Sequence, residues 1–301
     1  MKIGIYDVDS KIPNLALMKL SAFHKDSGDD VEMYSPLLDS YYDQVYASII
    51  FNFSNTSYLN DRMIVGGTGS GNNGVLDPKV ERTVPDYSLY DCKHSIGFTM
   101  RGCRFKCDFC VVPKKEGRPQ SNNTIEEIWT QRDNNFVMLL DNDFFGNPYW
   151  RERIAEMKKH DLRVNFSQGL NIRIISKEQA ESLKTIKFRS AHNTKRRVFF
   201  AWDQIKDEKV IWRGIHRVVE AGIKPHEMEF YILIGFDSTH EENLRRVGML
   251  RDFGCSPYAM PYNKSDPYQR HFTRWVNHKA VFKSVSWKDY IGERILKCSE
   301  K

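Results

Sequence analysis

The sequence predicts an α/β protein in which six βα units form a partial (βα)6 barrel, preceded by a small, doubly wound α/β unit. Three observations carry that prediction. From residue 95 onward strand-like and helix-like patterns alternate six times, which argues for a parallel sheet curved as an incomplete barrel rather than closed with eight strands. Residues 1 to about 70 alternate in the same way over a span too short for a full nucleotide-binding domain. Finally, 301 residues of which 41% are apolar can bury a sizeable core, which excludes disordered and fibrous classes.

The leading unit begins with the apolar run "IGIYDV" and continues into "PNLALMKLSAFHKDSG". Pro13 at the entry, Leu15, Met18 and Ala22 at helical spacing, and Gly28 as a stop define an amphipathic helix. "VEMY" and "QVYASIIF" read as strands, and "RMIVGGTGSGNNG" as a strand running into a glycine-rich loop. The result is a truncated Rossmann-like sheet. "PDYSLYD" reads as a connector, with the boundary near residue 85, so that residues 1–85, 86–263 and 264–301 form leading unit, barrel and helical basic tail.

In the TIM-like part the predicted strands are "SIGFTM", "FVMLLD", "RVNFSQ", "RVFFAW", "EFYILIGF" and "SPYAMPY". Helix starts are marked by Thr124 with Glu127, Ser176 with Gln179 and Thr239 with Glu242, each spaced as a capping box, and by Pro148 before "YWRERIAEMKKH".

No run of 18 apolar residues occurs, and "MKIGIYDVDS" turns acidic before any apolar signal region forms, so a soluble, cytoplasmic protein without membrane partners is expected. Charge is uneven. Residues 1–91 hold 7 Lys/Arg and 13 Asp/Glu, net −6, whereas residues 92–301 hold 38 and 26, net +12. The basic part suits either a phosphate-bearing or nucleic-acid substrate or simply a solvated surface.

Three of the six cysteines, Cys103, Cys107 and Cys110, lie within eight positions, in the loop after the first strand of the series. Strand-to-helix loops of a parallel barrel build its active face. Thiols so crowded point to metal or redox chemistry rather than to a secreted disulfide framework. Three thiolates at C-x3-C-x2-C can hold three corners of an iron-sulfur cubane and leave one iron open. The alternative is a structural zinc site completed by Cys92 or His94. Cys92, Cys255 and Cys298 are otherwise read as structural.

"GFTMRGCRFKCDFC" resembles the signature loop of the radical S-adenosylmethionine enzymes, including the aromatic Phe109 before the last cysteine. The resemblance implies a 4Fe-4S cluster held by Cys103, Cys107 and Cys110, with S-adenosylmethionine on the open iron. It also implies a reductant such as flavodoxin or ferredoxin, and a 5′-deoxyadenosyl radical that abstracts hydrogen from a substrate. "LLDNDFF", "FSQGLNIR" and "YILIGFDSTHEE" resemble the subgroup with a cobalamin-binding-like domain ahead of the barrel. By the same resemblance Phe109 belongs to the cofactor site and Asp141 or Asn142 meets the methionine amine. Gln168, Asn171 and Arg173 meet the ribose hydroxyls and carboxylate. Asp203 stands at the fourth strand end, and Gly235 admits the adenine. Strand-end Asn and Asp are equally at home as turn and capping residues.

In place of the family's Gly-Glu-rich stretch after the second strand stands "LLDND". The leading unit's one histidine, His24, lies inside a helix, so cobalamin, with methyl transfer, is expected only without a protein imidazole. The loop of Gly66, Gly67 and Gly69 either cradles a corrinoid or makes a tight turn. No cysteine precedes Cys92, which disfavours a methylthiotransferase. "SLKTIKFRSAHNTKRRVFFAW" could contact phosphates or carry basic residues that suit a helix C-terminus; "YQRHFTRWVNHK" could stack bases beside phosphates, but reads first as a helix packing Phe272, Trp275 and Val276 against the barrel. The rival to an enzyme is therefore a non-catalytic, metal-stabilised nucleic-acid-binding module.

Overall fold

A computed structural model describes residues 1–72 and 74–292. The chain divides into two compact units, Met1–Gly97 with Trp129–Asn134, and Phe98–Ile128 with the residues from Asn135 on. Both are built on parallel strands alternating with helices, as expected. Among the described residues no helix is long and apolar enough to cross a membrane.

In the first unit β1 (Lys2–Asp7), β2 (Asp30–Met33), β3 (Gln44–Ser48) and β4 (Met63–Gly66) form a parallel sheet in the order β2-β1-β3-β4. Helix α1 (Leu15–Asp26) starts where the Asn14 side chain accepts from Leu17 N, and buries Leu17 against Ile3 and Ile5. Gly28, at φ +83°, follows its end as the sequence predicted. His24 belongs to this helix, its ring nitrogens 2.7 Å from Asp29 Oδ2 and 3.0 Å from Tyr46 Oη.

The glycine-rich loop is a tight turn. A Cβ on Gly67 would sit 2.3 Å from the Ile49 carbonyl oxygen and one on Gly69 would sit 2.5 Å from Phe51 backbone. Main chain thus occupies the room that the two glycines leave.

The unit continues through the short helix α2 (Pro78–Glu81) and β5 (Ser95–Gly97), past the expected boundary at residue 85. The reason is local. "PDYSLYD" folds as a 3₁₀ turn over Tyr87–Tyr90 that docks on the sheet unit: Asp86 accepts from Ser21 Oγ and Lys25 Nζ, both at 2.7 Å, and Tyr90 Oη donates to Asp7 at 2.6 Å. Burial works to raise Asp86, but Lys25, Ser88 and Ser21 outweigh it and hold its carboxyl down at about 2.

The second unit opens with a two-stranded antiparallel ribbon, β6 (Met100–Arg101) and β7 (Gln120–Ser121), with α3 (Val112–Lys115) between them and α4 (Ile125–Ile128) after. There follow β8 (Phe136–Leu139), α5 (Trp150–Lys159), β9 (Arg163–Phe166), α6 (Lys177–Lys184) and β10 (Lys187–Phe188). The series ends with β11 (Val198–Ala201), α7 (Glu208–Glu220), β12 (Met228–Ile234), α8 (His240–Asp252), β13 (Ser256–Pro261), α9 (Pro267–Asn277) and α10 (Lys279–Ser284). Strands run parallel in the orders β10-β9-β8 and β11-β12-β13, and a parallel bridge between Leu170 and Phe200 links the two sets.

All three capping boxes form: Thr124 with Glu127, Ser176 with Gln179 and Thr239 with Glu242. The expected strand "RVFFAW" differs from the structure in one respect. β10 pairs with the start of β9, and a compact turn pinned by the Ser190 hydroxyl precedes β11. Along these strands alternate residues, Val164, Phe166, Phe188, Phe200, Phe230 and Ile232, are at most 3% exposed. In the tail, Phe272, Trp275 and Val276 are buried, so α9 packs with its aromatic residues instead of presenting them. Cys298 lies outside the described residues.

Candidate functional site

The cysteine loop, residues 102–119, is held at its base by the β6–β7 ribbon, where Met100 pairs with Ser121 and Arg101 with Gln120. Gly102 starts it at φ +78°, and a Cβ there would lie 2.3 Å from the Arg118 carbonyl oxygen, so only glycine lets the two ends of the loop meet. Cys103 N–H then donates to Gly117 O at 3.2 Å, and Cys110 N–H to Cys107 O at 2.9 Å, which turns the chain toward α3. The three thiols are free and half-buried.

"DND", immediately after β8, fastens this loop at three points. Asp141 Oδ1 accepts from Thr99 N at 2.7 Å and Met100 N at 3.3 Å, and its Oδ2 accepts from the Thr99 hydroxyl. Asn142 Nδ2 donates to Glu116 Oε2 at 2.8 Å; the same carboxylate accepts from Gly102 N at 2.9 Å and from Arg101 Nη1 at 3.3 Å. Asp143, 1% exposed, accepts from Arg104 Nε at 2.6 Å and Nη2 at 2.7 Å.

Both Asp141 carboxylate oxygens are thus spent on Thr99 and Met100, just ahead of the cysteines. At Gly235, φ +80°, the missing Cβ would fall 2.1 Å from the Gln269 carboxamide, so the glycine makes room for α9. Asn171 caps the turn over Ile172–Ile174, with Oδ1 accepting from Arg173 N at 3.2 Å, and Gln168 is exposed after β9.

Other predicted residues do converge on the loop. The Arg173 guanidinium lies 4.3 Å from the Phe105 ring centroid, pairs with Asp207 at 3.0 Å and interacts electrostatically with Cys107. Burial works to lower Arg173, but Asp207 and Cys107 outweigh it and raise it. Phe109 packs edge-on against Phe236, with centroids 5.6 Å apart. Asp203 follows β11 and acts electrostatically on Cys110; burial raises its carboxyl against the pull of Arg173 and Arg246.

Burial, helped by Asp143 and the two neighbouring thiols, pushes Cys103 up to about 11, and burial with Cys107, Asp203 and Glu116 raises Cys110. Near neutral pH Cys103 is therefore protonated in the free chain, and a metal that binds it must displace that proton. Phe105 N–H also donates to Cys103 Sγ at 3.4 Å. Three thiols are the donor type that an iron-sulfur cluster takes. Among the described residues no three His, Cys, Asp or Glu side chains gather round one point. Cys92 and Cys255 are buried, and burial raises both thiols, Cys255 to about 12.

Glu116, Arg104 and Arg246 went unnoticed in the sequence. Arg246, 0% exposed, donates to the carbonyls of Trp202, Asp203 and Leu233 and to Asn243 Oδ1, tying the ends of β11 and β12 together. Its one signal was position: with Thr239 as cap, Asn243, Arg246, Val247 and Leu250 share a stripe, so a charged residue stood at a core spacing. Between the loops after β11 and β12 lies a cleft of about 300 Å³, lined by Gln204, Lys206, Asp237, Thr239 and Glu242.

Burial, opposed by Thr99, Met100 and Arg101, raises the Asp141 carboxyl to about 7. The folded state then keeps a proton that the unfolded chain releases near pH 4. Stability from this group is full below about pH 4 and falls as pH rises to about 7, by at most about 4 kcal/mol. Asp141→Asn, which keeps an acceptor for the two N–H groups, is expected to flatten that slope. Urea midpoints at pH 4.5 and 7.5 in both proteins check it, and equal slopes would refute the assignment.

The fold and site together define an α/β protein with a three-cysteine loop clamped at the end of a parallel strand. No family model and no curated protein matches the chain.

Proposed function

We propose that this chain is a radical S-adenosylmethionine enzyme whose six βα units form a partial barrel around the cysteine loop. The observation that carries the reading is the loop itself: three free, electrostatically coupled thiols at C-x3-C-x2-C, tied down by "DND" after a parallel strand. When bound, the 4Fe-4S cluster supplies one electron to the sulfonium of S-adenosylmethionine, giving methionine and a 5′-deoxyadenosyl radical that takes hydrogen from the substrate.

The chain's own residues then divide the work. Cys103, Cys107 and Cys110 hold the cluster. Arg173, fixed by Asp207 and Phe105, places a positive charge beside Cys107 and is suited to a carboxylate. Asn142 keeps its carbonyl oxygen for an amine while its nitrogen is spent on Glu116. Asp141 and Asp143 position the loop. The first unit contributes a parallel α/β scaffold, with His24 bonded to Asp29 and Tyr46.

Anaerobic reconstitution with iron and sulfide, followed by reductant and S-adenosylmethionine, is expected to yield 5′-deoxyadenosine from the wild type and none from Cys107→Ala. An unproductive wild type with a full complement of iron, or equal yields from the two proteins, would overturn the proposal.

A further inference from the structure

The basic run between Ser182 and Trp202 holds six Lys/Arg, and four are spent inside the fold. Lys184 donates to Gly222 O at 2.7 Å, Lys187 pairs with Asp161 at 2.6 Å, Arg196 with Glu227 at 2.8 Å, and Arg197 with Glu229. Lys195 is exposed in the turn before β11. Arg189 is different. It follows β10 directly, its N–H donating to Val164 O at 2.8 Å, and among the described residues its guanidinium has no carboxylate partner; its Nε is buried and unpaired.

Strand register places Arg189 beside Asn165, the next pair after Val164 and Phe188. Asn165 is 1% exposed. Its Nδ2 donates to Arg189 O at 2.8 Å, and its Oδ1 is buried without a partner. By alternation these two occupy the face opposite Val164 and Phe188. Ser167 shares that face, and its carbonyl accepts from Tyr231 Oη at 3.2 Å, which carries the face on to β12. Tyr231 stacks on Phe199 with centroids 5.4 Å apart and meets Tyr258 edge-on at 5.8 Å. Here the face opens: Tyr258 is 40% and Met260 45% exposed.

We propose that this open face binds a small ligand that joins a planar ring to an anionic group. Arg189 takes the anion, Asn165 Oδ1 accepts from an N–H or O–H of the ligand, and Tyr231 with Tyr258 receive the ring. An unpaired, half-buried guanidinium and an orphaned amide oxygen each cost stability in the free chain, and a ligand that satisfies both recovers it. Tyr258, with its ring exposed beside the partly buried Tyr231, favours a planar partner over an aliphatic one. As substrate for the cysteine site, this ligand rests on the function proposed above; as a bound molecule it needs neither cluster nor S-adenosylmethionine.

Calorimetric titration of the full, cluster-free chain tests it, using AMP, UMP, indole-3-carboxylate, 4-hydroxybenzoate and inorganic phosphate. At least one ring-bearing anion is expected to bind about tenfold more tightly than phosphate, and less tightly as salt rises. Arg189→Met should weaken that binding about tenfold or more, with Arg189→Lys intermediate. Tyr258→Ala, at an exposed position, should weaken it several-fold while Tyr258→Phe stays close to wild type. Mononucleotides binding alone identify a phosphate as the anion, and the carboxylates alone a carboxylate. Absence of binding by all four ring ligands, or unchanged affinity in both Tyr258→Ala and a folded Arg189→Met, overturns the proposal. Because no cluster is present, that failure leaves the 5′-deoxyadenosine test standing, and the reverse holds too.

Discussion

Arg104→Ala is expected to destabilise the chain by about 3 kcal/mol or more and to reduce the iron retained after reconstitution, whereas Asp143→Ala costs less. The two partners form one bidentate pair, so their unequal effects follow from surroundings rather than from the bond. Asp143 is 1% exposed, and the Arg104 side chain is 32% exposed. Without Arg104's guanidinium the carboxylate stays in a space with little room for water: a Cβ on neighbouring Gly146 would already lie 2.5 Å from Asp143 Oδ2. Its remaining donor would be the backbone N–H of residue 104, at 3.2 Å. Without Asp143, by contrast, the guanidinium can turn to solvent. Urea midpoints at constant m give the stability difference, and iron per chain after desalting gives the effect on the loop. Equal costs would mean the pair behaves as a surface ion pair, and undiminished iron retention would remove the clamp from the account of the site.

What could be read in the sequence was what local physics encodes. Thr124, Ser176 and Thr239 announce helix starts because each cap and its partner lie three residues apart, and the cysteines announce a site because their spacing is itself the signal. What could not be read depends on contacts distant in the chain. Nothing local says that Asp141 faces Thr99, 42 residues away, instead of solvent. Nor does anything local say that Gln269, 34 positions on, lies where a Cβ on Gly235 would be. "PDYSLYD" looked like a linker on composition, and its docking rests on Ser21, Lys25 and Asp7, which composition does not reveal. The split before β11 was hidden for a related reason. "KF" is too short for alternation to register, and β10 exists only because Arg163 and Val164 are there to pair with it.

Arg246→Met should cost about 4 kcal/mol or more, the largest effect expected of any single change in α8. Its guanidinium supplies hydrogen bonds at 2.8 Å to Trp202 O, 2.8 Å to Asp203 O, 2.9 Å to Leu233 O and 2.6 Å to Asn243 Oδ1. Methionine fills much of the volume, so the loss comes from leaving these acceptors short of donors in a buried place, each deficit costing about 1–3 kcal/mol. Burial draws Arg246 down to about 10, opposed by Asp203 and Glu242, so it is still charged at neutral pH and lysine preserves that charge. Arg246→Lys is nonetheless expected to recover less than half the loss, because one ammonium cannot reproduce a planar fork that reaches two strand ends at once. The consequence extends to the cysteines. Trp202 and Asp203 follow β11, Leu233 lies near the end of β12, and Asp203 acts on Cys110, so a variant that folds without the fork holds that carboxylate less firmly. Iron retention in Arg246→Lys should therefore fall by more than its stability loss accounts for, measured at a urea concentration where the chain is still folded. If methionine costs under about 1 kcal/mol, the carbonyls have found other donors and Arg246 is not what joins the strand ends.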